Sequence, residues 1–363
     1  FKGGQYSDVL YPLTNIIIEN IVDPLRLLGM VLIIFYSGEI VWRERSYNFN
    51  GIIDATPIAN WNIFVSKLSA LLLLPIFLIG TGIILGIGTQ LVSGFFEVDL
   101  VQYVSMFYYN GLQLLLFSVL GIFIQSIVRN KYAGMGITGI LLILSFRPPL
   151  VMLEHPLLRY AFLPNVGFNN MTGHGANSTE FMHLAMYWVG IAGILAIISF
   201  KLMQRGTGQR MQLKGLVANW KNWERLVLIA FLLLFVGGGV TVYYNMNVVN
   251  KYLTEAEMLD ERAEYERKFK QYESLPPLSW EDIKTTVDLF PKENHYRIKA
   301  DYVVVNKEEH SIDQLLVTAR VPLQSISFEG AEMVEYFPDF DTYLFKFNKA
   351  VAPQQLVKFN YEI

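Results

Sequence analysis

The chain has 363 residues, of which 53% are hydrophobic and 14% aromatic, while Asp, Glu, Lys and Arg together make up only 17%, well below the roughly 25% of an average soluble domain. A formal net charge of -3 with no run of Lys and Arg excludes a phosphate-tracking surface, so nucleic acid is not an expected partner. There are no cysteines, which excludes disulfides and thiolate metal sites.

The charge is unevenly spread. Long stretches of the first 250 residues carry none, whereas from about Lys251 acids, bases and aromatics alternate as in a soluble domain. Regions of different class therefore share the chain: an α-helical membrane domain over 1–250, a stalk helix with a Pro linker over 251–277, and an external β-sandwich, or part of one, over 278–363. The sequence opens at Phe1 without an initiator Met or a signal peptide, and 356–363 still alternates like a strand. These features lead us to expect a piece of a longer polypeptide.

Six membrane spans are predicted, at about 14–42, 68–92, 102–128, 132–146, 181–203 and 226–244. In the first, only 27–38 lacks charge, short of the roughly 20 residues needed to cross. That helix must therefore extend past Arg26, Glu39 or both, with a kink expected at Pro24 and an interfacial end near Trp42. The windows 68–96 and 100–128 are free of charge and are long enough to cross with tilt. The 132–146 stretch is short, and its length alone suits a re-entrant or buried helix equally well. Charge placement decides for a crossing. Arg43, Arg45 and Lys67 mark the first connection, Arg129 and Lys131 the third, and Lys201, Arg205, Arg210, Lys214, Lys221 and Arg225 the fifth. By the positive-inside rule these connections are cytoplasmic, and both ends of the chain lie outside.

Within the spans, glycines such as Gly82, Gly86, Gly134, Gly136 and Gly139 are read mainly as close-packing positions and secondarily as hinges. Asn110, Gln113 and Gln125 suit either a transport path or interhelical hydrogen bonds. Glu39 needs a partner at the end of its span, and Arg43, one turn on, is the local choice. The first connection, 38–67, has two readings: an interfacial amphipathic element anchored by Trp42 and Trp61, or a docking element for a cytoplasmic protein.

Beyond the sixth span, Thr254 and Glu257 have capping-box spacing. Met258, Tyr265, Phe269 and Tyr272 line one side of the predicted stalk helix, which Pro276 and Pro277 stop. From Trp280 the hydrophobic period changes to two. Strands are predicted at 283–289, 295–304, 312–319, 333–337, 343–347 and 356–363, separated by turn residues at 291–294, 306–309, 329–330 and 338–341. No His-Glu-x-x-His and no phosphate-binding Gly-rich loop ending in Gly-Lys-Ser/Thr occurs, so neither catalytic residues nor a cofactor site is predicted in this chain.

Several motifs point further. Glu39, Ile40, Val41, Trp42, Arg43, Glu44, Arg45, then Ile52, Ile53, Asp54, Ala55, Thr56, Pro57 and Asn60, Trp61 resemble the signature of bacterial ABC-2 type permeases fused to an aminopeptidase N-like zinc peptidase. The resemblance continues in Ile124 and Gln125 with Asn130, Lys131 and Tyr132, in His155, Pro156, Leu157, Leu158, Arg159 and Tyr160, and in Arg205, Gly206 and Thr207. It extends to the Tyr265 stalk and to Val287, Asp288, Leu289, Phe290 and Pro291. In that family a membrane part about twice as long precedes an external β-domain and a zinc domain. The resemblance thus implies an ABC-2 exporter-like second membrane half in the bacterial inner membrane, with the start of the β-domain on the external, periplasmic side. It also implies a separate cytoplasmic ATPase subunit that binds ATP, and a second membrane half or a second permease copy in the bilayer. Zinc would belong to a peptidase domain outside this segment. The docking loop it implies comprises Glu39, Trp42, Arg43, Glu44, Arg45, Asp54, Pro57, Asn60 and Trp61. The competing reading is a membrane anchor for an external peptidase, or a scaffold subunit of an envelope complex.

Overall fold

A computed structural model describes residues 11–146, 154–169, 173–175, 177–203, 220–290, 295–319, 321 and 323–363. The chain divides into two compact units, Phe1–Glu255 and Ala256–Ile363. The first is helical and the second is built mainly of antiparallel β-sheet.

In the helical unit α1 spans Thr14–Ser46, and Pro24 lies inside it without ending it. A turn through Asn48, at φ +52, leads to the short α2, Asn50–Asp54; Asn tolerates this left-handed backbone better than most residues. Then follow α3 (Asn60–Val92), α4 (Leu100–Tyr109), α5 (Gly111–Ile127), α6 (Lys131–Phe146), α7 (Asn177–Leu202) and α8 (Asn222–Tyr243). A π-helical turn, Tyr244–Val249, prolongs α8. Asp99 caps α4 by accepting from the backbone N–H groups of Val101 and Gln102, and Asn130 caps α6 in the same way through Tyr132 and Ala133. Both use a short polar side chain to satisfy donors that the first helical turn leaves open.

Among the described residues, four helical stretches are long and apolar enough to cross a membrane: Asn60–Val92, Leu100–Ile127, Asn177–Leu202 and Asn222–Val249. Lys131–Ser145 is a shorter apolar helix. The expected third span is interrupted at Asn110, where α4 gives way to α5. Gly111 follows directly, and a Cβ there would come within 2.9 Å of the Ile79 Cδ1. The missing side chain is what lets α3 approach the break.

α5 is the centre of the unit and touches α1, α3, α6 and α7. Leu114, Phe117, Leu120 and Ile124 are buried on it, with Ile33 of α1, Leu142 of α6 and Trp188 of α7 in the same core. By contrast only 11% of the most apolar window of α8 is buried, so Leu226, Leu233, Val236 and Val240 form an outward apolar face. Such a face requires lipid or another apolar surface. α7 and α8 meet backbone to backbone: a Cβ at Gly190 would lie 2.5 Å from the Phe235 nitrogen, and one at Gly238 would lie 2.6 Å from the Tyr187 nitrogen. Small residues allow this approach, the usual device of helix packing in lipid. Gly82 and Gly86 act likewise, against Leu25 and against Ile17 and Tyr103, whereas Gly136 has open space around it.

The second unit begins within α9, Glu255–Phe269. Strands β1 (Ser279–Phe290), β2 (His295–Val305), β3 (Ile312–Thr318), β4 (Ser325–Phe328), β5 (Ala331–Phe337), β6 (Thr342–Val351) and β7 (Leu356–Glu362) follow. They form a four-stranded sheet ordered β1-β2-β7-β4 and a three-stranded sheet ordered β3-β6-β5. Val304, Phe328, Val357 and Phe359 of the first pack on Ile312, Leu315, Phe345 and Phe347 of the second. Alternation sends Leu316, Phe337 and Leu344 to the opposite face of the smaller sheet, where Tyr265, Phe269 and Tyr272 cover them. The expected apolar side of the stalk helix is therefore used at its C-terminal end, while Met258 stays 42% exposed. Six strands fall where alternation predicts them. β4 was not anticipated, because four residues are too few to establish a period.

Candidate functional site

The first connection is an elbow closed by hydrogen bonds and an ion pair. The last turn of α1 closes through Tyr47, Asn48 and Phe49, whose N–H groups donate to the Arg43, Arg45 and Glu44 carbonyls, and Thr56 Oγ1 donates to the Ile53 carbonyl at 2.6 Å. Three side chains of the predicted docking loop turn inward. Glu44 pairs with Lys67 of α3 at 2.8 Å, and Lys67 is buried. Trp42 Nε1 donates to Gln125 Oε1 at 2.8 Å, and the Gln125 amide nitrogen in turn donates to the Lys131 carbonyl.

Glu39 corrects an expectation. Its partner is Lys131 at the start of α6, not Arg43 on its own helix. The cause is a close approach of helices: a Cβ at Gly38 would fall 2.5 Å from the Met135 Cε, and one at Gly134 would fall 2.5 Å from the Gln125 Oε1. With those side chains absent α6 lies against α1 and α5, and its first residue delivers an ammonium to Glu39. Gln125, 2% exposed, is accordingly an interhelical hydrogen-bonding residue. Gln113 donates to the Ala161 carbonyl and ties α5 to the connection that follows α6.

Of the other named residues, Arg43, Arg45, Pro57, Asn60 and Trp61 are exposed. The Arg45 guanidinium lies 5.4 Å from the Trp42 ring centroid. Asp54 is the last residue of α2, Pro57 is exposed, and Asn60 opens α3 with its side chain exposed. Trp61 remains 42% exposed, its ring set edge-on to Phe200 at 5.4 Å and Trp223 at 5.0 Å. Tyr47, Phe49, Ile52 and Ile58 are exposed beside it. The elbow thus presents two guanidinium groups and several apolar side chains on a base fixed by an ion pair and a hydrogen bond. Under it lies a cleft of about 100 Å³ bordered by Glu44, Asn50, Asn60 and Lys67.

A second fixed pair stands next to the elbow. Lys201, ending α7, bonds Glu224 of α8 at 2.5 Å, with both residues buried. Glu224 also accepts from the Lys221 N–H at 2.9 Å, and the Lys201 ammonium lies 4.9 Å from the Trp220 ring centroid. The basic residues Arg205, Arg210 and Lys214, and the Arg205, Gly206, Thr207 motif, lie outside the described residues. Sequence reading missed Lys67, Lys131 and Lys201 as partners. The available signal was the position of each lysine at the edge of an apolar run, where an unpaired ammonium is costly.

The His155–Tyr160 motif fastens a connection. Arg159 donates twice to the Ser145 carbonyl, at 3.1 and 2.7 Å, occupying an acceptor that the end of α6 leaves open. Tyr160 and Tyr187 hydroxyls donate to the Leu116 and Leu157 carbonyls. His155 Nδ1 accepts from the Leu157 N–H, its ring lies 4.9 Å from that of Tyr252, and burial holds its pKa below the usual imidazole value.

Among the described residues no group of three His, Asp or Glu side chains is placed to hold a metal ion. Comparison of the chain with protein-family models, curated proteins and solved structures finds no match.

Proposed function

We propose that the chain is the membrane subunit of an ATP-driven ABC exporter, with ATP hydrolysed by a separate cytoplasmic subunit that docks on the 43–61 elbow. The observation that carries this reading is the two-sided construction of the elbow. Glu44 and Trp42 tie it to α3 and α5, while Arg43, Arg45, Pro57 and Trp61 remain exposed on it. An interfacial anchor needs the exposed apolar side chains but no rigid coupling to the bundle core. A docking element needs both, because a partner's movement reaches the helices only through a stiff connection.

In this reading α1 and α6 cross the bilayer together with the four longer apolar helices. The elbow lies on the cytoplasmic side, the β-rich unit lies in the periplasm, and the membrane is the bacterial inner membrane. The outward apolar faces of α3 and α8 meet lipid and a second membrane half or permease copy. The resemblance to permeases fused with a peptidase motivates the class.

The test is co-purification from the native host. Arg43→Glu with Arg45→Glu is expected to remove an ATPase subunit that accompanies the wild-type chain, and to remove the ATP turnover of the complex. Unchanged co-purification and turnover would overturn the docking assignment. Absence of any ATPase from the wild-type complex would favour a membrane anchor for an external peptidase.

A further inference from the structure

The four-stranded sheet ends in β1, which among the described residues is bonded on one side only, to β2. Such an edge presents a row of unpaired N–H and C=O groups, and folded proteins usually shorten, bulge or cover it. The other edge strands follow that practice: β4 has four residues, and the pairings of β3 and β5 each contain a register shift. β1 is different. Its pairing shifts only between Trp280 and Asp282, and from Asp282 to Phe290 the register is unbroken and contains no proline. Every residue of that stretch is exposed, including Ile283, Val287 and Leu289 on one face.

The direction of the free groups follows from β2. Ile298 donates its N–H to the Ile363 carbonyl and accepts from the Ile363 N–H, so both of its backbone groups point away from β1. In an antiparallel ladder such a residue belongs to a non-hydrogen-bonded pair with the strand on its other side. Its partner on β1 is Val287, whose N–H and C=O therefore point out of the sheet. Alternation gives Ile283, Thr285 and Leu289 the same direction.

A second β1, run antiparallel about a two-fold axis at Thr286, meets these groups in register. Thr285 then lies opposite Val287 of the other copy, and Ile283 opposite Leu289, so the outward backbone groups of the two strands face one another and apolar side chains share one face. On the other face Lys284 lies opposite Asp288. Lys284 is already in register with Asp301 across its own sheet, and Asp288 with Arg297, so the signs alternate along one row of Asp301, Lys284, Asp288 and Arg297. Opposite charges directly across strands stabilise pairing, and like charges oppose it. An axis at Thr285 would instead set Asp282 against Asp288, and one at Val287 would set Lys284 against Phe290. We propose that β1 is a dimerisation edge whose occupant is β1 of a second copy of this chain. A two-fold contact must be self-complementary, and this one is so in charge, apolar face and hydrogen-bond direction. It concerns the β-rich unit alone and stands or falls separately from ATPase docking.

The chain has no cysteine, so single cysteines in the full chain, purified in detergent and oxidised with copper phenanthroline, report the register. Thr286→Cys is expected to give a disulfide-linked dimer, because a non-hydrogen-bonded pair sets its Cα atoms about 4.5 Å apart, within bridging range. Thr285→Cys is expected to bridge about tenfold less, since its own copy lies about 7 Å along the strand as well as about 5.5 Å across, beyond that range. Lys284→Cys and Asp288→Cys are expected to bridge each other when co-expressed, and neither to bridge with itself. Val287→Pro removes an N–H that β2 does not use, a change that edge strands accept. Combined with Thr286→Cys, it is expected to lower the bridged fraction about tenfold or more. Equal bridging at Thr285→Cys and Thr286→Cys, or indifference to Val287→Pro, would overturn the assignment. So would the absence of a bridge at Thr286→Cys, the result if another strand occupies this edge.

Discussion

Replacing Lys201 by Met tests whether the α7–α8 pair is structural. The ammonium is buried, bonded to Glu224 at 2.5 Å and close to the Phe200 and Trp220 rings. Removing it leaves the Glu224 carboxylate, 3% exposed, with the Lys221 N–H as its remaining donor among the described residues. Breaking one side of a buried pair typically costs about 3–5 kcal/mol. The backbone bond that survives places this case at the lower end, about 3 kcal/mol. Neutralising the carboxylate in the same chain, Lys201→Met with Glu224→Gln, keeps an acceptor for the Lys221 N–H and removes the stranded charge. We expect it to recover about 2 kcal/mol of the loss, within the range by which contacting pairs depart from additivity. The assay is reversible urea or thermal unfolding in nanodiscs, followed by the fluorescence of the adjacent tryptophans, for wild type, both single variants and the double variant. A Lys201→Met cost below about 1 kcal/mol, or a double variant no more stable than Lys201→Met alone, would refute the reasoning.

Two further outcomes are expected in the same assay. Gly190→Leu should lower stability by about 3 kcal/mol or more, the upper part of the range for overpacking, because its Cβ position meets the backbone of α8. Gly136→Ala, in open space on α6, should be neutral or slightly stabilising, since Ala favours helix over Gly by about 1 kcal/mol; equal losses at the two sites would contradict the packing argument. Burial lowers the folded-state pKa of His155 from 6.5. Its contribution is therefore fully present above pH 6.5 and falls as the unfolded chain takes up a proton below that pH. Wild type should lose more stability than His155→Gln between pH 7.5 and pH 5.5, and parallel curves would exclude the assigned direction.

How much was legible follows from the range of the interactions involved. Long charge-free runs predict helices near α3, α7 and α8, and period-two alternation locates β2, β3 and β7, because both signals reside in neighbouring residues. The Glu39 pairing does not. The i,i+4 rule nominates Arg43, yet Lys131 wins because Gly38 and Gly134 let α6 approach α1 and α5. The interruption at Asn110 was likewise invisible inside a continuous apolar window, where only the tertiary approach of Ile79 gives Gly111 its meaning. Gln125 suited both a transport path and a bundle contact on paper. Its two hydrogen bonds, to Trp42 and to the Lys131 carbonyl, decide for the second.

The same distinction divides the predicted docking residues and tells how their variants must be read. Glu39, Trp42 and Glu44 hold the elbow to α6, α5 and α3, so substituting them disturbs the base on which any partner would sit. Loss of a partner in Glu44→Gln would accompany a loss of stability and would not identify a contact. Arg43 is exposed, and the Arg45 guanidinium stacks on Trp42 from the outer side. Surface changes of this kind usually alter stability by less than about 0.5 kcal/mol. A charge reversal at these two positions that releases a bound ATPase without shifting the unfolding midpoint therefore reports on the interface itself. If the midpoint falls together with the partner, the elbow acts as scaffold, and docking on these arginines must be given up.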